Sequence, residues 1–227
     1  MDDHAFVGIS LDSKLFSREW IQMAVRCILD RNATVEFVLC DRLLSFNKTL
    51  SQESGGKVTM DLSECEARIA KRSGDIHGLM VSEVSVLSES DRCRVSVSKW
   101  GDHADSRFAD IHRVLSIAYA SLDQFRECVD RDVEAHLLHQ TKTLVSSAIH
   151  RSLCALYIIE ESAMSIRITE FGRPFEYYPG TPICTLSDIY DGRFAPYGLT
   201  VEAIVGHPPK RLFQPLTLQS NCAGLVD

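Results

Sequence analysis

The sequence predicts an α/β protein, a single domain over residues 1–227 with a mostly parallel sheet flanked by helices. Three observations predict it. Ala5-Phe6-Val7-Gly8-Ile9 is a short apolar run of the kind that forms a strand covered on both faces. A segment with helical apolar spacing follows, and a second apolar run, Thr34 to Cys40, completes the pattern. Strand, helix and strand within about 35 residues make a βαβ unit, whose strands run parallel and whose crossover is right-handed.

The elements follow in order. Ser17 is a candidate N-cap for a helix whose apolar face is Trp20, Ile21, Ala24, Val25 and Ile28, and Asp30-Arg31-Asn32 ends it. The stretch 45–59 is polar and contains Gly55-Gly56, so a loop is expected. Ser63 to Ala70 is predicted helical, whereas 78–86 is open between strand and loop. Cys93 to Lys99 alternates as a strand does. A mostly helical region is expected over 106–162, broken near Ser121 and Thr141. Phe175-Glu176-Tyr177-Tyr178 and Leu199 to Val205 read as two later strands, and about 208–227 as a loosely ordered tail.

Composition narrows the function classes. Hydrophobic residues make up 45% and charged residues 24%, ordinary for a globular chain. No run approaches the roughly 20 apolar residues of a membrane span. Met1-Asp2-Asp3-His4 is acidic where a secretory signal is basic, so a cytoplasmic location is expected. The eight cysteines never fall within four residues of one another, which supports neither a zinc site nor a disulfide framework. Cys27, Cys40 and Cys154 read as small buried hydrophobes. The net charge of −7 confines any nucleic-acid contact to a minority of the surface.

The chemistry-bearing residues are few. Ser10 stands at the carboxyl end of the first strand, where open α/β sheets place their sites. A second glycine for a G-x-S-x-G elbow is missing, as is G-x-G-x-x-G, which argues against an ordinary α/β-hydrolase and a dinucleotide cradle. Tyr157 and Glu161 share a helix face at i and i+4, with Glu161 placed to hold an ammonium group. A hydroxyl, a carboxylate and phenols, with no catalytic histidine or metal motif, point to acyl transfer from an activated ester. His136 and His139, an i,i+3 pair lacking a third ligand, read as an exposed helical pair.

In order and spacing these pieces resemble the tRNA-dependent cyclodipeptide synthases. Gly8-Ile9-Ser10 and Phe16-Ser17 match that family's first strand, whose serine becomes aminoacylated, and its aromatic-Ser pair. Tyr157-Ile158-Ile159-Glu160-Glu161 matches its Tyr-x-x-x-Glu helix. Tyr177 with Thr181-Pro182-Ile183 is similar to its strand tyrosine and Thr-Pro-Ile, and Asp41 to the aspartate ending its second strand. Two positions depart from the pattern. Ser13 stands where one branch often has asparagine, and Tyr178 follows the tyrosine where His or Pro is typical. With these departures the chain looks like a divergent member, similar to the fungal group that makes arginine-containing cyclodipeptides.

The resemblance implies a Rossmann-like fold akin to a class I aminoacyl-tRNA synthetase catalytic domain. It implies an enzyme that joins the aminoacyl groups of two aminoacyl-tRNAs into a diketopiperazine, through aminoacyl-Ser10 and dipeptidyl-Ser10, without cofactor or metal. Tyr157 and Glu161 would anchor the first amine, Glu161 would also accept a proton, and Tyr177 would relay one during cyclisation. Phe6, Gly8, Ser13, Val38, Phe175, Glu176 and Tyr178 would line the substrate site, with glycine at position 8 allowing close approach. An arginyl-tRNA substrate would call for an acidic wall, for which Asp12, Glu176 and Glu202 are candidates. Arg68, Lys71 and Arg72, at helical spacing, suit tRNA phosphates. Two alternatives stay open: a non-catalytic α/β binding module, and a degenerate synthetase-like enzyme, although no H-I-G-H-like or K-M-S-K-S-like element is present.

Overall fold

The computed structural model describes residues 3–11, 16–43, 62–141, 148–170, 173, 175–178, 183–206 and 212–215. Its sheet has five strands: β1 (His4–Ile9), β2 (Thr34–Leu39), β3 (Val95–Lys99), β4 (Phe175–Tyr178) and β5 (Leu212–Pro215). Their order is β3-β2-β1-β4-β5, and every pairing is parallel. The chain builds outward from β1 to β3, then returns to the other side of β1 for β4. The strand order therefore reverses between β1 and β4, and the carboxyl ends there form the crevice in which open α/β sheets bind ligands.

Helices cover both faces. On one face lie α1 (Arg18–Leu29) and α2 (Leu62–Ser85), packed on Ala5, Val7, Ile9, Val35, Phe37, Leu39 and Tyr177. On the other, Phe6 and Val38 join the core built by α5 (Ser106–Ser121), α6 (Asp123–Thr141) and α7 (Ala148–Glu170). Two short turns, α3 (Glu89–Arg92) and α4 (Trp100–His103), flank β3. The period-two pleat accounts for this division, because odd positions of β1 and β2 face one layer and even positions the other.

Local chemistry sets the helix boundaries. The Ser17 hydroxyl accepts a hydrogen bond from Trp20 N at 3.3 Å and starts α1, as its sequence position predicts. The breaks between α5 and α6 and between α6 and α7 also fall where expected. The helix predicted to end at Ala70 instead runs to Ser85, through Gly74 and Gly78. Ser73, Ile76, Met80 and Glu83, alternating three and four residues apart, keep one stripe buried against the sheet and α1. The strand predicted at 199–205 is a helix, α9 (Val201–Val205): Thr200 accepts from Ala203 N at 3.0 Å, and Gly206 closes it at φ 83°. The sequence reading missed α8 (Cys184–Tyr190), whose first amides donate to buried Asp132 of α6 at 3.1 and 2.7 Å. Leu212–Pro215, inside the stretch expected as tail, pairs with β4 as an edge strand. The polar stretch 45–59 lies outside the described residues.

The cysteines need one correction. Cys40, Cys93, Cys128, Cys154 and Cys184 are free thiols, whereas Cys27 is disulfide-bonded, to a partner outside the described side chains. Sequence spacing excludes only local pairs, and folding brings distant ones together. Among the described residues no helix is long and apolar enough to cross a membrane, and no group of three potential ligands could hold a metal ion.

Candidate active site at the switch point

Ser10 directly follows β1 beside the switch point and is half-buried. By the alternation of the strand it extends, it belongs to the face of Phe6 and Gly8, the face covered by α7. Gly8 pairs with Val38 of β2, and a Cβ built at Gly8 would lie 3.6 Å from Cys40 Sγ. The Cys40 thiol thus lies against the backbone just before Ser10. Burial pushes that thiol well up, and the carboxylates of Glu161, Asp41 and Glu176 push it the same way. Three acids, on α7, past the end of β2 and in β4, therefore add negative charge to the surroundings of Cys40.

Each of the three is positioned from its own element. Glu161 sits one helical turn after Tyr157 on α7 and is half-buried. Tyr157 is partly buried, and its ring stacks on His136 of α6, centroids 4.6 Å apart. His136 is thus half-buried beside the site rather than exposed, a role that histidine spacing alone does not reveal. Glu176 aligns with Phe6 across β4 and β1, and it accepts a hydrogen bond from Ser165 of α7 at 3.0 Å. Asp41, two residues past the end of β2, accepts from Ser73 of α2 at 3.2 Å.

The structure separates Tyr177 from this group. Its side chain is 1% exposed within the α1–α2 layer, and its phenol oxygen accepts a hydrogen bond from Asn32 Nδ2 at 2.9 Å. Asn32 precedes β2, at the amino end of the sheet, opposite to Ser10. Burial pushes the Tyr177 phenol above its ordinary value. That combination suits a core tyrosine of the layer away from α7. The physical reason is the pleat: consecutive residues of β4 belong to opposite faces, so Glu176 shares the site's face while Tyr177 shares the other. The side chains of Phe175 and Tyr178 are outside the described set, as are Asp12, Ser13 and Thr181-Pro182.

Besides Asp132 and Glu83, two buried carboxylates nearer the site, Glu160 and Glu36, went unnoticed in the sequence. Glu160, 2% exposed, receives Trp100 Nε1 at 3.2 Å and Arg42 Nε at 2.6 Å, with His112 at 3.8 Å. It ties α7, α5 and the ends of β2 and β3 together directly beside Glu161. Glu36, the one acid in β2, meets His103 at 3.2 Å and Arg173 at 2.6 Å, the latter an ion pair without hydrogen-bond alignment. Burial opposes its charge, yet hydrogen bonds from His103 and Ser98 and the Arg173 charge hold it below the usual carboxylate range. A lone acid inside an apolar strand run was the available signal for Glu36. Of the candidate acids for a cationic substrate, Glu202 is exposed on α9, whereas Glu176 shares the site face. Arg68 and Lys71 are exposed on α2, and Arg72 bonds to Leu11, the residue after Ser10.

No family profile and no curated protein matches this chain. Solved structures do. A cyclodipeptide synthase from Fluoribacter dumoffii superposes with a TM-score of 0.73 at 15% identity, covering 93% of this chain and 87% of that one. A Mycobacterium tuberculosis protein, described as demonstrating that cyclodipeptide synthetases are related to type I tRNA synthetases, gives 0.66 at 17% identity over 83% and 78%. The cyclodipeptide synthase from Candidatus Glomeribacter gigasporarum, solved bound to Phe-tRNAPhe, gives 0.62 at 17% identity over 85% and 83%. The chain thus has the fold of the cyclodipeptide synthases, a Rossmann-like sheet related to that of class I tRNA synthetases.

Proposed function

We propose that this protein is a tRNA-dependent cyclodipeptide synthase with Ser10 as its nucleophile. The observation that carries the reading is the place of Ser10 at the carboxyl end of β1 at the switch point, on the face covered by α7, the helix that bears Tyr157 and Glu161. The shared fold with cyclodipeptide synthases, one of them solved with an aminoacyl-tRNA, supports it.

In the first step Ser10 Oγ attacks the ester carbon of an aminoacyl-tRNA. The Oγ–C bond forms, the C–O bond to the ribose breaks, and the serine proton leaves with the tRNA hydroxyl. The amine of the Ser10-bound group then attacks a second aminoacyl-tRNA, with Glu161 accepting the ammonium proton and a second tRNA leaving. Finally the terminal amine attacks the Ser10 ester, an amide closes the six-membered ring, and the proton returns to Oγ. An aminoacyl ester is already activated, so the first step exchanges one ester for another and the two later steps carry acyl groups from oxygen to nitrogen. Tyr157, oriented by His136, holds the first amine together with Glu161.

Because Tyr177 is buried in the α1–α2 layer with Asn32, we give the cyclisation phenol's task to its neighbour Tyr178 instead. Phe6, Gly8 and Val38 line the substrate side, and Glu176 is the acid on that face that suits a cationic side chain such as arginine. Arg68 and Lys71 supply phosphate contacts for the tRNA. The test is mass spectrometry of the products formed from charged tRNAs, arginyl-tRNA included, together with detection of an aminoacyl ester on Ser10. Wild type is expected to yield a diketopiperazine and Ser10→Ala neither adduct nor product. An adduct trapped on another residue would overturn the assignment.

A further inference from the structure

The three cations of α2 assigned to tRNA differ in what they touch. Arg68 pairs with Glu64 on its own helix at 2.7 Å, and Lys71 is exposed. Arg72 instead reaches the sheet: its Nε donates to the backbone carbonyl of Leu11 at 3.1 Å. Leu11 is 1% exposed and is joined directly to Ser10. At the next position of α2, buried Ser73 donates to Asp41 at the end of β2. Positions 72 and 73 therefore brace the carboxyl ends of β1 and β2 from the same turn of α2.

A carbonyl beside the nucleophile, next to a fully buried side chain, needs a donor. A guanidinium supplies a directional, charge-assisted one, with further N–H groups left for other partners. Lysine carries the same charge without the planar fork. Charge and brace can therefore be separated by one substitution.

We propose that Arg72 is a positioning residue: by holding the Leu11 carbonyl it sets the backbone that presents Ser10 to the ester. This role rests on the acyl-transfer reading above and adds to it a residue whose contact with the nucleophile strand is direct. It also separates Arg72 from Arg68 and Lys71, whose task is the phosphate backbone alone.

The test compares Arg72→Lys, Arg72→Ala and wild type by two measurements. Hydrogen exchange of a peptide spanning Gly8 to Leu11, without tRNA, reads the brace. Single-turnover acylation of Ser10 at saturating aminoacyl-tRNA reads its consequence, with tRNA affinity measured across a salt series. In Arg72→Lys the peptide is expected to exchange faster and acylation to slow by about tenfold or more, as fits loss of a hydrogen bond to a charged group. Affinity and salt slope should stay near those of wild type, because the charge remains. Arg72→Lys acylating at the wild-type rate, or exchanging like wild type, would overturn the proposal. Faster exchange in the variant together with a wild-type protein that takes no acyl group would uphold the brace and overturn the transfer reading.

Discussion

The adjacent tyrosines of β4 give the sharpest prediction, because the proposal gives the catalytic task to one and a core role to the other. In Tyr177→Phe one hydroxyl is lost from a buried pair. Asn32 Nδ2 loses its 2.9 Å acceptor, and Asn32 Oδ1 is already buried without a partner, so a flip of the amide restores nothing. Stranding one buried neutral donor costs about 1–2 kcal/mol. For a chain of this length that is a fall in Tm of about 2–8 °C. Turnover at a temperature where the variant stays folded should match wild type.

Tyr178→Phe should behave in the reverse way. A side chain that relays a proton contributes about 100- to 10,000-fold to rate. Cyclodipeptide formation, measured where the variant is folded, should therefore fall at least about 100-fold. Thermal melts and product formation from charged tRNAs, run on both variants, separate the two effects. Loss of turnover in Tyr177→Phe at unchanged Tm, with Tyr178→Phe active, would refute the parity argument and return the relay to Tyr177.

Two further outcomes follow from single contacts. Gly8→Ala places a methyl group 3.6 Å from Cys40 Sγ, an ordinary contact distance, so the fold should tolerate it with a small change in Tm. The methyl narrows the space before Ser10, and steady-state kinetics should show a raised KM; unchanged kinetics would remove Gly8 from the substrate wall. Asp105 caps α5 and bonds Arg167 of α7, and chiefly that Arg167 hydrogen bond holds its carboxyl well below the usual range. A depressed pKa contributes stability above the unfolded value that is lost as pH falls through the folded one. Urea unfolding of Asp105→Asn should therefore trail wild type at neutral pH, with the gap closing only below pH of about 4; a gap that persists undiminished to the lowest pH would refute the ion pair's part in it.

How much was legible depended on the periodicity each residue obeyed. Val7, Phe37 and Ile9 sit in runs whose composition alone marks buried parallel strands, and Ser17 announces its helix by a local hydrogen bond. Local signals of this sort survive in sequence. The β4 tyrosines did not, because an offset of one residue is invisible to a motif yet reverses every side chain in a strand. Only tertiary contacts, Tyr177 to Asn32 and Glu176 to Ser165, decide the parity. Leu199–Val205 misled in a related way. Its β-branched run favours a strand, yet the Thr200 cap and left-handed Gly206 close a helical turn. Arg72 read as one more cation on a helix face, since nothing in the sequence reveals that α2 passes the end of β1.

Cys40 explains why an alcohol, rather than a thiol, carries the proposed chemistry. A thiolate at this strand end would be a stronger nucleophile than serine toward an ester. Burial and the carboxylates of Glu161, Asp41 and Glu176 all disfavour its ionisation, so at neutral pH the sulfur stays protonated. The same negative field favours an ammonium group beside Ser10, which is how an aminoacyl ester presents itself in water. On the proposed reading, the acids that suppress the thiol are also those that would draw the substrate's amine, so one electrostatic arrangement would favour both a serine nucleophile and an aminoacyl ester.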